Sequence, residues 1–304
     1  MSWFNQLIAH TLPYVPKPIV GFFSKHYIAG DKLEDAVRLV KELNSNRMMA
    51  TIDVLGEEVK VKEQSLKAVQ TYREVLKTIA VEKLDANISL KPTHMGLKID
   101  KDFCFYNILE MVKEAQKINN FVRIDMEDAT TTDDTIEMYL RIKKEYPNVG
   151  TVLQSYLRRT GKDINRLIPH KANLRLCKGI YNEKREIAYK EKSIINDNFE
   201  YALEKLLSNG CYVGIATHDE KLVWHALQLI DKLSLQPDQY EFQMLLGVDH
   251  ELRRIIVEGG HRLRVYVPFG TEWFGYSTRR LKENPAIAGH IIRNTLDRWM
   301  GKKV

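Results

Sequence analysis

A chain of 304 residues with 44% hydrophobic and 28% charged side chains can bury a large core, and its composition excludes disordered, collagen-like and disulfide-stapled classes. The formal net charge of +6 favours anionic ligands, but no Lys/Arg-rich block with interleaved aromatics stands out, so no nucleic-acid partner is expected. Three widely spaced cysteines, Cys104, Cys177 and Cys211, show neither a CxxC pair nor zinc-ligand spacing and suit a reducing cytoplasm; no run of about 18 apolar residues offers a membrane span.

The chain starts with "MSWFNQLIAHTLPYVPKPIVGFFSKHYIAG", apolar and aromatic but interrupted by His10, Pro13, Pro16 and Pro18. It lacks the basic n-region and A-x-A site of a secretory signal. It reads as an arm packed on the domain, with a segment lying on a membrane surface as the second reading. "DKLEDAVRLVKELNSN" then has helical period behind Asp31, so residues 1–47 are expected to form an N-terminal helical arm.

From residue 48 the pattern changes. Short apolar, β-branched runs fall at 48–56, 87–93, 121–127, 149–156, 173–179, 212–218, 240–247 and 263–270. Between them lie segments of helical period, such as "DDTIEMYLRIKKEYP". Strand–helix alternation calls for parallel pairing through crossover helices. Eight such units predict a (β/α)8 TIM-like barrel over residues 48–304, with C-terminal helices and the N-terminal helical extension before it. A doubly wound open sheet is the competing architecture. Against it, no GxGxxG follows the first run and no Walker A sequence occurs.

In a barrel, chemistry gathers at the C-terminal ends of the strands. Unusual polar residues cluster there in order: Lys91 at the end of the second run, Asp125, Glu127 and Asp128 at the third, and Gln154 on the fourth. The fifth carries Arg175, Lys178, Gly179 and Tyr181, and the sixth ends in Thr217, His218 and Asp219. Gln243 and Tyr266 mark the seventh and eighth, and a helix follows in which Tyr276, Arg279, Arg280 and Glu283 share one face. Each has an ordinary explanation: Lys91 reaching solvent, Asp125 or Asp128 capping a helix, His218 satisfied at a strand end. The repeated placement is what those explanations leave over. Lys91, Arg175, Lys178, Arg279 and Arg280 outnumber the carboxylates and make an anion-binding mouth. Arginine forks match carboxylates bidentately. Arg175, between Leu174 and Leu176, needs a partner if it points inward, and Asp125 or a bound anion would serve.

Taken together, "SLKP", "RIDMED", "VLQSYLRRT", "LRLCKGIYNE", "GIATHDE", "YEFQMLLGV", "RVYVPFG" and "YSTRRLKEN" resemble the successive strand-end motifs of the proline dehydrogenase family, collinear from about residue 48 to about 295. The length resembles the monofunctional bacterial enzymes. The resemblance implies an FAD-dependent barrel that oxidises L-proline to Δ1-pyrroline-5-carboxylate, with hydride passing to flavin N5 and electrons on to a quinone. It implies a cytoplasmic protein with a possible peripheral contact at the inner face of the cell membrane.

By the same resemblance Lys91, Asp125, Arg279 and Arg280 form the catalytic set, and Lys91 with the arginine pair binds the proline carboxylate. Tyr181, Leu245, Tyr266 and Tyr276 surround the ring, and Asp125 lies beside Lys91. Asp125, Gln154, Arg175, Lys178, Gly179, Ile180, Thr217, His218 and Glu283 would hold the flavin, no metal is implied, and Glu57 would pair with an arginine to close the site. Two departures stand out: "KGIYN" replaces the family's frequent "KGAYW", at Ile180 and Asn182, and "ATHD" replaces "ATHN", at Asp219. Beside a non-enzymatic reading, a basic peripheral membrane-binding protein that would leave the polar strand ends unexplained, two rival enzyme readings remain open. One is a Schiff-base lysine aldolase or lyase using Lys91 or Lys178. The other is a metal-dependent lyase using Asp125, Glu127 and His218.

Overall fold

Each β-branched run forms one strand in the computed structural model, which describes residues 21, 24 and 26–283; for 279–283 it describes the backbone alone. The strands are β1 (Met49–Val54), β2 (Ala86–Leu90), β3 (Val122–Ile124), β4 (Val149–Gln154), β5 (Asn173–Cys177), β6 (Tyr212–Ala216), β7 (Tyr240–Leu245) and β8 (Leu263–Phe269). Every neighbouring pair is parallel and β8 closes on β1, with Tyr266 opposite Thr51 and Pro268 opposite Asp53. The order runs β1 to β8 around a closed barrel, so the open doubly wound sheet is excluded.

The strands stop short of the expected ends. Lys91, Asp125, Lys178, Thr217 and His218 sit just past them, where the chain turns out of the ladder. Pairing nevertheless persists locally: Asp125 N donates to Leu90 O at 2.8 Å and Tyr156 N to Lys178 O at 2.8 Å. These bonds hold the loop bases rigid and so aim the side chains of the rim.

The helices among the described residues are α1 (Leu33–Ser45), α2 (Lys62–Val81), α3 (Lys101–Lys117), α4 (Thr132–Lys143), α5 (Thr160–Leu167), α6 (Lys192–Ser208), α7 (Glu220–Lys232), α8 (His250–Glu258) and α9 (Trp273–Glu283). Asp100 caps α3 by accepting from Phe103 N at 2.9 Å. In α1, the buried Ala36, Val40 and Leu43 recur at helical spacing and face the outside of β1 and β8. The helix before the barrel therefore covers the closing seam. The helix after it, α9, instead brings Tyr276 into a cluster with Tyr27, Ile28, Leu55 and the half-buried Tyr266, Trp273 and Val248.

The outward faces of the strands are apolar: Ile52, Ile88, Ile124, Leu174, Ile215, Phe242 and Val265 are buried under the helices. The inward faces are not the usual branched aliphatics. Thr51, Asp53, Asn87, Ser89, Arg123, Arg175, Glu241, Gln243 and Arg264 are all buried and polar or charged. Some of their bonds link neighbouring strands, as between Arg264 and Glu241, and others skip a strand, as when Arg123 Nη1 on β3 donates to Asn173 O on β5 at 2.8 Å. Such a lumen is tolerable only because these groups find partners.

Candidate active site

A cavity of about 730 Å³ opens at the C-terminal rim of the barrel. Its wall includes the expected Lys91, Asp125, Gln154, Arg175, Lys178 and Gly179, and also Ile180, Tyr181, Thr217 and His218. Leu245, Tyr266 and Tyr276 complete the expected set that the structure brings together. The side chains of Arg279, Arg280 and Glu283 lie outside the described residues, although the backbone of α9 and the buried Tyr276 carry their helix to this mouth. Glu57 is near enough to Lys91 to raise the basicity of its amine. Asn182 is exposed and takes no part in the wall.

Lys91 pairs with a residue outside the expected set. Its Nζ donates to both carboxylate oxygens of Asp53, each at 2.8 Å, while Asp125 lies near enough to act on its charge. The reason is register: Asp53 on β1 stands opposite Ser89 on β2, and Lys91, two residues on, shares the Ser89 face and reaches back. Burial pushes the Asp53 carboxyl above its ordinary range despite the pull of Lys91. Burial acts to lower Lys91, but Asp53 and Asp125 outweigh it, so the amine is held above its ordinary value and stays cationic at neutral pH. A Schiff-base lysine needs the opposite shift, which disfavours Lys91 in the aldolase reading. Asp53 was missed in the sequence, where its signal was a lone carboxylate inside the apolar run "MMATIDVLG".

Asp125 instead gathers three donors. Ser89 Oγ lies at 2.5 Å, Arg175 Nη1 at 2.6 Å and Tyr266 OH at 2.9 Å. Arg175 thus has the inward partner its sequence position demanded, and its guanidinium also sits 5.2 Å from the centre of the Tyr266 ring. Lys178 Nζ meets Asp219 Oδ2 at 2.7 Å, and Asn196 Nδ2 donates to the same oxygen at 3.2 Å. Burial would raise the Asp219 carboxyl, but Lys178 prevails and holds it below the ordinary carboxylate range. The "ATHD" departure therefore neutralises the neighbouring lysine.

Glu127 accepts from Thr93 N at 2.8 Å and from Thr93 Oγ1 at 2.6 Å, and burial pushes its carboxyl up to about 7. His218 Nε2 accepts from Leu245 N at 2.9 Å. Asp125, Glu127 and His218 are each engaged with different neighbours. Among the described residues no group of three His, Cys, Asp or Glu side chains is placed to hold a metal ion.

Gln154 is the unfinished part of the wall. Its Nε2 donates to the main-chain oxygens of Met126 and Glu127 at 3.5 and 3.3 Å, which turns its Oε1 the other way. That oxygen is buried and has no partner among the described residues. A buried acceptor without a donor costs about 1–3 kcal/mol, so the position suits a ligand N–H. Past the end of the neighbouring strand, Gly179 has φ +101° and a Cβ there would stand 2.1 Å from the Tyr156 ring, so only glycine lets the chain lie this close.

The sequence profile of the proline dehydrogenase family matches residues 36–293. Proline dehydrogenase 1 of Bacillus subtilis subsp. natto is 35% identical over 273 residues, covering 90% of each chain. Proline dehydrogenase 2 of Bacillus subtilis strain 168 is 38% identical over 259 residues, 85% of this chain and 86% of that one. The proline dehydrogenase of Deinococcus radiodurans is 30% identical over 281 residues, 90% of each. Among solved structures, proline utilization A from Bdellovibrio bacteriovorus inactivated by N-propargylglycine superposes with a TM-score of 0.81 at 25% identity, over 86% of this chain and 32% of that one. This chain thus spans about a third of that larger protein. No helix among the described residues is long and apolar enough to cross a membrane. A barrel whose rim gathers cations around an apolar, tyrosine-lined cavity, matched along nearly its whole length by these relatives, belongs to the proline dehydrogenase family, oxidoreductases that act on proline.

Proposed function

We propose that the chain oxidises L-proline to Δ1-pyrroline-5-carboxylate with FAD as its cofactor and a quinone as the electron acceptor. The observation that carries the cofactor reading is the Gln154 amide: a buried, donor-seeking oxygen in the cavity wall fits the ring N–H of a flavin. Lys178 lines the same cavity, and although Asp219 pairs with it, its ammonium has further donors for a phosphate. When bound, the flavin supplies the hydride acceptor at N5.

The chain's own residues then bind and orient. Arg279 and Arg280 clamp the proline carboxylate as a bidentate pair, with Lys91 adding charge. Tyr181, Leu245, Tyr266 and Tyr276 pack the ring methylenes and exclude water. Asp125 keeps Tyr266 and Arg175 in place through its bonds to both. Arg175 puts fixed positive charge at the wall, favouring electron density that builds up there during reduction. With the reacting carbon held in one place, no nucleophile–base pair is needed. A peripheral contact with the inner face of the membrane, through the apolar N-terminal segment, would bring the protein to its quinone; residues 1–20 lie outside the described residues.

The test is a visible spectrum of the purified protein, repeated after L-proline is added without an acceptor. A flavin band near 450 nm, about where oxidised flavins absorb, that bleaches on addition is the expected result. A colourless protein that takes up no FAD, or a band that proline leaves intact, overturns the reading.

A further inference from the structure

Arg175 is held from two sides, and the second hold leads down into the barrel. Its Nε donates to Gln243 Oε1 at 2.5 Å. The other end of that amide, Gln243 Nε2, donates to Glu241 Oε1 at 2.6 Å. Glu241 lies two residues earlier on β7, on the same inward face, outside the cavity wall. It is itself fixed by Arg264 Nε at 2.8 Å and by Tyr212 OH at 2.9 Å. The Gln243 amide packs against Gly214, where a Cβ would stand 2.4 Å from its nitrogen.

A glutamine amide beside a guanidinium can point either its oxygen or its nitrogen at it, and only the oxygen is attractive. What selects the oxygen here is the carboxylate behind. We propose that Glu241 is a positioning residue for proline oxidation: by capturing the Gln243 nitrogen it turns the amide oxygen onto Arg175 and fixes the guanidinium against the cavity. Glu241 touches neither substrate nor cofactor. Its ordinary role would be to neutralise Arg264, a purely structural task. The pair does both because one carboxylate oxygen accepts from Arg264 and Gln243 together. The proposal rests on the flavin-dependent reading of the cavity.

The experiment measures the reduction potential of the bound flavin and the rate of its reduction by L-proline in Glu241→Gln, in Gln243→Leu and in the double variant. Glu241→Gln, whose amide no longer selects one Gln243 orientation, should make the potential more negative and slow reduction roughly tenfold, the scale expected for a residue acting through its neighbour. In the Gln243→Leu background the same change should add almost nothing, because the link is already cut. If Glu241→Gln alone fails to fold, Glu241→Gln with Arg264→Gln keeps the site neutral and hydrogen-bonded, and the same comparison is made in it. A folded, flavin-loaded variant with unchanged potential and rate overturns the proposal. So does an equal shift with and without Gln243, which would mark a structural effect. If the unaltered protein takes up no flavin, the functional reading falls and the proposal falls with it.

Discussion

Asp53 and Lys91 show how a barrel lumen can hold charge at its top layer. Asp53 is fully buried, and both its carboxylate oxygens accept from one ammonium, Oδ1 also from Tyr72 OH at 3.3 Å. Removing one partner of such a pair leaves the other buried and uncompensated, a loss of about 3–5 kcal/mol. Asp53→Ala should therefore lower stability by that order in urea denaturation and raise the KM for proline, because Lys91 loses the strut that aims it. Asp53→Asn, which still accepts a hydrogen bond, should cost less. Equal, near-zero effects of both substitutions would show that Lys91 is held by something else. The residue scale was partly legible beforehand: Lys91, Asp125 and Arg175 were visible as charges at strand ends and Asp125 was a candidate partner for Arg175, whereas the pairing of Lys91 with Asp53 was not visible. Pairing depends on which strands lie opposite, and a run such as "MMATIDVLG" does not say what its aspartate will face.

At the scale of elements, the loops leaving β1, β2 and β3 are tied into one unit beside the mouth. Glu58 N donates to Thr93 Oγ1 at 2.9 Å, and Thr93 in turn binds Glu127 through both its amide and its hydroxyl. Burial raises the Glu127 carboxyl from 4.5 to about 7, so the folded state favours the protonated form. Its contribution is complete below the unfolded value and disappears as pH rises through the folded one, between about 4.5 and 7. The size of that swing is roughly 3 kcal/mol. Glu127→Gln cannot ionise, so between pH 5 and pH 8 its stability should fall less than that of the unaltered protein in paired denaturant titrations. Parallel curves would show that Glu127 is already comfortable as a carboxylate. From the sequence, Glu127 was one acid among three in "DMED"; nothing there set apart the one whose carboxylate binds a loop threonine from the other two.

At the scale of the whole molecule, the closing seam of the barrel is covered by an element that precedes it. β1 and β8 pair over six positions, and α1 covers both from outside with Ala36, Val40 and Leu43. A chain lacking residues 1–47 should expose that seam and aggregate or melt well below the full chain in scanning calorimetry; a variant that kept the full melting temperature would show the seam to be self-sufficient. The eight strands, their order and the rim residues were legible because β-branched runs, helical periods and polar strand ends are local patterns that recur, and a parallel sheet has few ways to connect them. The sequence could not show that α1 takes the outer place over β8, or that the lumen below the rim is polar. Those outcomes depend on contacts between residues far apart in the chain, such as Arg175 with Asp125 and Lys91 with Asp53. Local periodicity sets which segments become strands and helices; only closing the sheet decides which buried charges meet.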